Sequence, residues 1–136
     1  MGVVIEGRYL GAKKVRLVHE PSGAELVTDA PRDNQGEGSS FSPTDLVAGA
    51  LAACMLTILG IAAERDGVDV SGTEFRIEKH MESNPRRIGA VDVVLRLPAR
   101  IPPEQRERLE RAARTCPVLR SLHSDIRVDA RFLWDL

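Results

Sequence analysis

Leu46-Val47-Ala48-Gly49-Ala50-Leu51-Ala52-Ala53-Cys54-Met55-Leu56-Thr57-Ile58-Leu59-Gly60-Ile61-Ala62-Ala63 runs for 18 residues without a charge. That length only reaches the lower edge of a membrane span. The stretch is rich in Ala, includes two Gly, and has no basic cluster beside it. It predicts a long central helix buried in protein, the usual meaning of a helix that is apolar all round. The start is well marked: Ser42 is an N-cap residue, Pro43 sits at the first helical position and Asp45 at the capping-box position. The helix is expected to run to about Asp66 and to stop at Gly67. A helix with no polar face must be covered on all sides, which 136 residues can hardly do alone. A second subunit over it would solve the problem and points to a homodimer.

On the N-terminal side, Val15–Val18 and Glu25–Thr28 are β-prone runs joined by the turn residues Pro21-Ser22-Gly23, a hairpin pattern. Asp29 to Ser42 is a polar loop of 14 residues, long enough to suggest a functional role. On the C-terminal side, Thr73, Phe75, Ile77 and Met81 alternate with charged residues, and Lys79 breaks the apolar parity. Ser83 to Gly89 reads as a turn and Val91–Leu97 as the returning strand. A second, amphipathic helix is expected over Pro103 to Thr115, with Leu109, Ala112, Ala113 and Cys116 as its apolar stripe and Pro117 as its end. Ile126, Val128, Ala130 and Phe132 alternate with charged residues as a last strand. The order predicts one α+β domain over residues 1–136, with antiparallel sheets around the long helix.

Composition narrows the function. Nineteen Lys and Arg against 20 Asp and Glu give a net charge of −1 with no basic block, which argues against a nucleic-acid-binding role. Two Cys and three scattered His make no zinc pattern. The first residues, Met1-Gly2-Val3-Val4-Ile5-Glu6-Gly7-Arg8, lack a signal-peptide pattern, so the cytoplasm is the expected compartment and no membrane partner is expected. In that compartment a thiol pair is either packing or redox chemistry. Cys54 and Cys116, 62 positions apart, are the candidates. Cys54 lies well inside its helix, beyond the reach of the N-terminal dipole, and would need a nearby cation to become a thiolate. Cys116 lies at a helix end before Pro117, where it can approach another sulfur more readily. Simple core packing is the alternative for both.

Phe41-Ser42-Pro43-Thr44-Asp45-Leu46, followed by Ala52-Ala53-Cys54, resembles the helix start of the OsmC/Ohr family, and Cys116-Pro117-Val118 resembles its second cysteine element. Arg86-Arg87-Ile88-Gly89 is similar to the mid-sheet turn of one OsmC-like subgroup. The resemblance implies an intertwined α+β homodimer and a thiol-dependent peroxidase acting on organic hydroperoxides. It implies Cys54 as the peroxidatic cysteine, Cys116 as the resolving cysteine, a cellular dithiol as reductant, and no metal or bound cofactor. Active members carry Glu directly after the helix-start Pro, paired with an Arg near the preceding loop. Here that position is Thr44 and the acid stands one residue on, at Asp45; Arg32 is the Arg of the loop. The resemblance therefore nominates Arg32 and Asp45, with Glu37 as a substitute acid and helix capping as the plain role of Asp45. The missing Glu also supports an alternative: a non-catalytic, small-molecule-binding or redox-sensing homodimer.

Overall fold

The computed structural model describes residues 1–136, which form two compact units, Met1–Val47 and Ala48–Leu136. The first holds a three-stranded antiparallel sheet in the order β1 (Ile5–Gly11), β2 (Lys14–His19), β3 (Glu25–Asp29). The expected hairpin is β2–β3, with Val15 opposite Thr28 and Leu17 opposite Leu26. Gly23 takes φ +76° in its turn, where the Ser22 hydroxyl accepts the Ala24 N–H at 3.1 Å. Strand β1 has no turn signal in the sequence. Its connection to β2 places Ala12 and Lys13 at φ 53° and 63°, the left-handed geometry of a tight hairpin turn made by residues that seldom adopt it.

The segment after β3 is closed by backbone bonds. Asp29 N–H donates to the Phe41 carbonyl at 3.1 Å, and Gly38 N–H donates to the Ala30 carbonyl at 3.1 Å. A Cβ at Gly36 would collide with the Ala30 carbonyl, so only glycine fits there. Within the segment, Arg32–Asn34 make one 3₁₀ turn.

Helix α1 (Pro43–Arg65) leaves the first unit and enters the second. Its end is set as expected: Gly67 takes φ +68° and the Val68 N–H returns to the Ala63 carbonyl at 2.8 Å. In length and composition this helix could cross a membrane, but it contributes a core stripe. Ala48, Leu51, Ala52, Met55, Leu59 and Ala63 recur at helical spacing and are fully enclosed. One chain covers only one face: Val47 and Ile61 on the opposite side are 39% and 46% exposed.

The second sheet runs β4 (Glu74–Glu82), β5 (Arg87–Arg96), β6 (Arg127–Leu133). Its inward residues Val91, Val93 and Leu95 join the α1 stripe, Leu97, Ile101, Leu109 and Ala113 in one core. Strands β4 and β5 are antiparallel, with Ile77 opposite Val93, but β6 lies parallel to β5, with Val93 opposite Ala130. The expectation of purely antiparallel sheets fails at this strand. The helical connection after β5 carries the chain back to the end where β5 began, as a parallel neighbour requires.

That connection also differs from expectation. Helix α2 covers Pro103–Ala113, so Cys116 lies beyond it and not on its stripe. Pro117 opens a further short helix, α3 (Pro117–Ser121), with Cys116 as its N-cap. Proline suits a first helical position because its missing N–H would have no partner there.

Candidate active site

Both cysteines belong to the second unit and both are free thiols. Cys54 sits in the middle of α1 on the flank of the core stripe, half-buried. Its neighbours one turn away on the outer side, Ala50 and Thr57, are exposed. Thr57 turns its hydroxyl inward onto its own helix, donating to the Ala53 carbonyl at 2.8 Å. No charged side chain stands within one turn of Cys54 along the helix.

Cys116 is fully enclosed, at 0% exposure. Its extended backbone, φ −63° and ψ 142°, ends one helix and caps the next. The sulfur accepts the Leu119 N–H at 3.3 Å. Burial pushes the Cys116 thiol above its ordinary value; the Leu119 and Val118 N–H groups pull the other way. The Cys54 side chain lies near enough to push the Cys116 thiol up further. The two sequence candidates, 62 positions apart, thus share one core: Cys116 is part of it and Cys54 packs against it.

Arg32 and Asp45 belong to the first unit and have local partners there. Arg32 Nε donates to the Glu37 carbonyl at 3.1 Å, and its stem lies against Gly38. Asp45 and Ser42 cap α1 with their side chains, and the Thr44 hydroxyl bonds that of Ser42 at 3.2 Å. Glu37 reaches Lys14 at 3.5 Å.

Two features escaped the sequence reading. One is the Leu119 N–H on the Cys116 sulfur, which the Cys-Pro pair could have signalled as a helix start. The other is Asp29, a fully buried carboxylate that accepts both the N–H and the hydroxyl of Ser39, at 3.0 and 2.6 Å. Lys14 stands 3.7 Å from it. These contacts hold its carboxyl below the ordinary value, the Ser39 hydroxyl most of all, while burial opposes them. Nothing in the local sequence marks Asp29 as buried.

An α+β chain with two sheets and two thiols on one core, one on a long helix and one at a Cys-Pro junction, defines a class of cysteine-bearing fold. The chain belongs to the OsmC family, whose model, described as OsmC-like protein, matches residues 36–131. A Psychrobacter arcticus protein named for osmotic stress induction and detoxification response is 38% identical and superposes with a TM-score of 0.91 over 97% of both chains. The organic hydroperoxide resistance protein OsmC of Legionella pneumophila shares 17% identity, with a TM-score of 0.78 over 98% of this chain and 97% of that one. OhrB of Bacillus subtilis, an organic hydroperoxide resistance protein, also shares 17% identity, with a TM-score of 0.71 over 97% and 98%. These last two similarities concern the fold. No curated protein matches the sequence.

Proposed function

We propose that this protein is a thiol peroxidase that reduces organic hydroperoxides. The shared packing of the two cysteines supports the reading: Cys116 is part of the core against which Cys54 packs, although the two are far apart in sequence. The Cys54 thiolate attacks one peroxide oxygen and the O–O bond breaks. The leaving alkoxide takes up the proton that Cys54 gave up on ionising and departs as the alcohol, and Cys54 becomes a sulfenic acid. The Cys116 sulfur then displaces the sulfenic hydroxyl; water leaves with the Cys116 proton, and a disulfide forms. A cellular dithiol returns both sulfurs to thiols. No step is assigned to Arg32 or Asp45.

A second copy of the chain covers the exposed apolar face of α1 in this reading, giving a homodimer. The exposed apolar residues of β1, among them Ile5 at 59% and Tyr9 at 65%, also call for cover. Free thiols fit a reducing compartment, and we place the protein in the cytoplasm.

A second reading, a non-catalytic binding or redox-sensing dimer, is favoured by Thr44 where active relatives are expected to carry Glu. Stopped-flow mixing of the reduced protein with cumene hydroperoxide separates the two. Fast peroxide loss with one intramolecular disulfide per chain, abolished in Cys54→Ser, supports the peroxidase. Slow oxidation without turnover in the presence of a dithiol would leave the sensing reading.

A further inference from the structure

Resting on the thiol-peroxidase reading, we infer that Arg114 is a positioning residue, which pins the joint bearing Cys116 to β6 so that its sulfur can close on Cys54. Disulfide closure tolerates only a narrow range of separation and torsion. Each cysteine therefore depends on what holds its backbone. Cys54 lies in the middle of α1, and the enclosed stripe of that helix fixes its place. Cys116 has no such frame. It is the extended residue between α2 and α3, with φ −63° and ψ 142°, and its N–H reaches the Ala113 carbonyl at 3.3 Å. A joint of this kind needs an anchor from another element.

Arg114 supplies it. This residue caps the end of α2 with φ −73° and ψ −6°. Its guanidinium lies over the Phe132 ring, 5.1 Å from the centre, and Nη2 donates to the Ala130 carbonyl at 3.4 Å. Both partners stand on β6, where Ala130 is paired with Val93 of the enclosed core. One and two turns earlier on the same stripe of α2, Glu110 and Arg106 both meet Trp134. Glu110 accepts the indole N–H at 3.0 Å, and Arg106 lies over the ring at 5.3 Å. Helix α2 is thus fastened antiparallel along β6 and the residue after it, and Arg114 is the last fastening before Cys116. Arg111, on another stripe, pairs with Glu107 of its own helix at 3.4 Å. Without Arg114 the joint samples more positions in the dithiol form and must give them up on closure, which disfavours the disulfide.

The test compares wild type with Arg114→Ala, Arg114→Lys and Arg111→Ala in glutathione redox buffers. Closing the pair removes two electrons and two protons from the thiols; oxidised glutathione accepts both and becomes two thiols. Acid quenching, alkylation with N-ethylmaleimide and intact mass give the fraction of Cys54–Cys116 disulfide. Arg114→Ala is expected to lower the equilibrium constant about threefold, the scale of one cation over an aromatic face. Arg114→Lys should recover part of that loss because it keeps the cation, and Arg111→Ala should match wild type. Alkylation of Cys54 by iodoacetamide should keep its wild-type rate in every variant, because α1 is untouched. An unchanged constant in Arg114→Ala, an equal loss in Arg111→Ala, or slowed alkylation of Cys54 overturns the inference. Phe132→Leu removes the ring from the other side and should shift the constant in the same direction; it decides the matter if Arg114→Ala does not fold. Failure of the wild-type pair to close in oxidised glutathione overturns the inference and the two-thiol cycle together. A pair that closes in glutathione but not with hydroperoxide overturns the peroxidase reading alone.

Discussion

Ser42 and Asp45 cap α1 reciprocally: the Asp45 carboxylate accepts the Ser42 backbone N–H at 2.8 Å, and the Ser42 hydroxyl accepts the Asp45 N–H at 3.1 Å. Two donors that the helix cannot satisfy internally are thereby paired. Ser42→Ala is expected to cost about 1 kcal/mol of stability, read from urea unfolding. In a double-mutant cycle with Asp45→Ala the two losses should be less than additive, because either change breaks the same box. Peroxide consumption by Asp45→Ala at a temperature where it stays folded should remain near wild type. A large loss of rate without loss of fold would give Asp45 a chemical role.

The Asp29 carboxyl is held below its ordinary value, first by the Ser39 hydroxyl, then by the Ser39 N–H, with Lys14 assisting. A group with a depressed folded-state value stabilises the fold above its unfolded value, and that contribution is lost as pH falls. Thermal unfolding of the wild type should therefore lose stability on acidification through the carboxyl range. Ser39→Ala should flatten that part of the profile. Identical slopes for the two proteins would show that Asp29 is not the titrating group.

Cys116 gives the opposite sign. Its raised value favours the neutral thiol in the fold, so its contribution to stability is complete below the ordinary thiol range and declines as pH rises beyond it. In the proposed cycle the same proton must leave when the disulfide closes. Disulfide formation after a single turnover should accelerate with rising pH, and Cys116→Ser should stop at a Cys54 sulfenic acid that a dimedone probe captures. A pH-independent closing step would remove Cys116 from that role.

Leu109 is wholly enclosed in the core shared by α1, α2 and the second sheet. Leu109→Ala should cost about 2–5 kcal/mol, measured by denaturant unfolding. A loss below about 1 kcal/mol would mean that the site collapses or that Leu109 is not packed as described.

Ile61 is 46% exposed on the uncovered face of α1. If a second copy covers that face, Ile61→Arg should shift sedimentation toward the monomer while far-ultraviolet circular dichroism remains close to wild type. An unchanged sedimentation coefficient would place the interface elsewhere.

The sequence made the helices and the cysteines legible because their signals are local. Ser42-Pro43 and Gly67 bracket α1, and its apolar run is continuous. What it hid depends on partners far along the chain. The order of β5 and β6 was misread because alternation in Val128, Ala130 and Phe132 carries no direction. The first 30 residues read as strands, but β1 has no legible boundary because its turn uses Ala12 and Lys13 in place of Asn-Gly. That one chain leaves part of α1 uncovered follows from its apolar run and the chain length, but which face stays open depends on tertiary packing. Pairing of the two thiols is an expectation drawn from resemblance, and only tertiary packing shows that both belong to one core.

The parallel placement of β6 has a consequence for how the protein matures. Cys116 rides on the crossover between β5 and β6, whose paired residues, such as Val93 and Ala130, are distant along the chain. Such long-range pairings are slow to form. The crossover that carries Cys116 is therefore anchored at its far end only when the β5–β6 ladder closes, so the burial of this sulfur is tied to the slowest kind of pairing in the sheet.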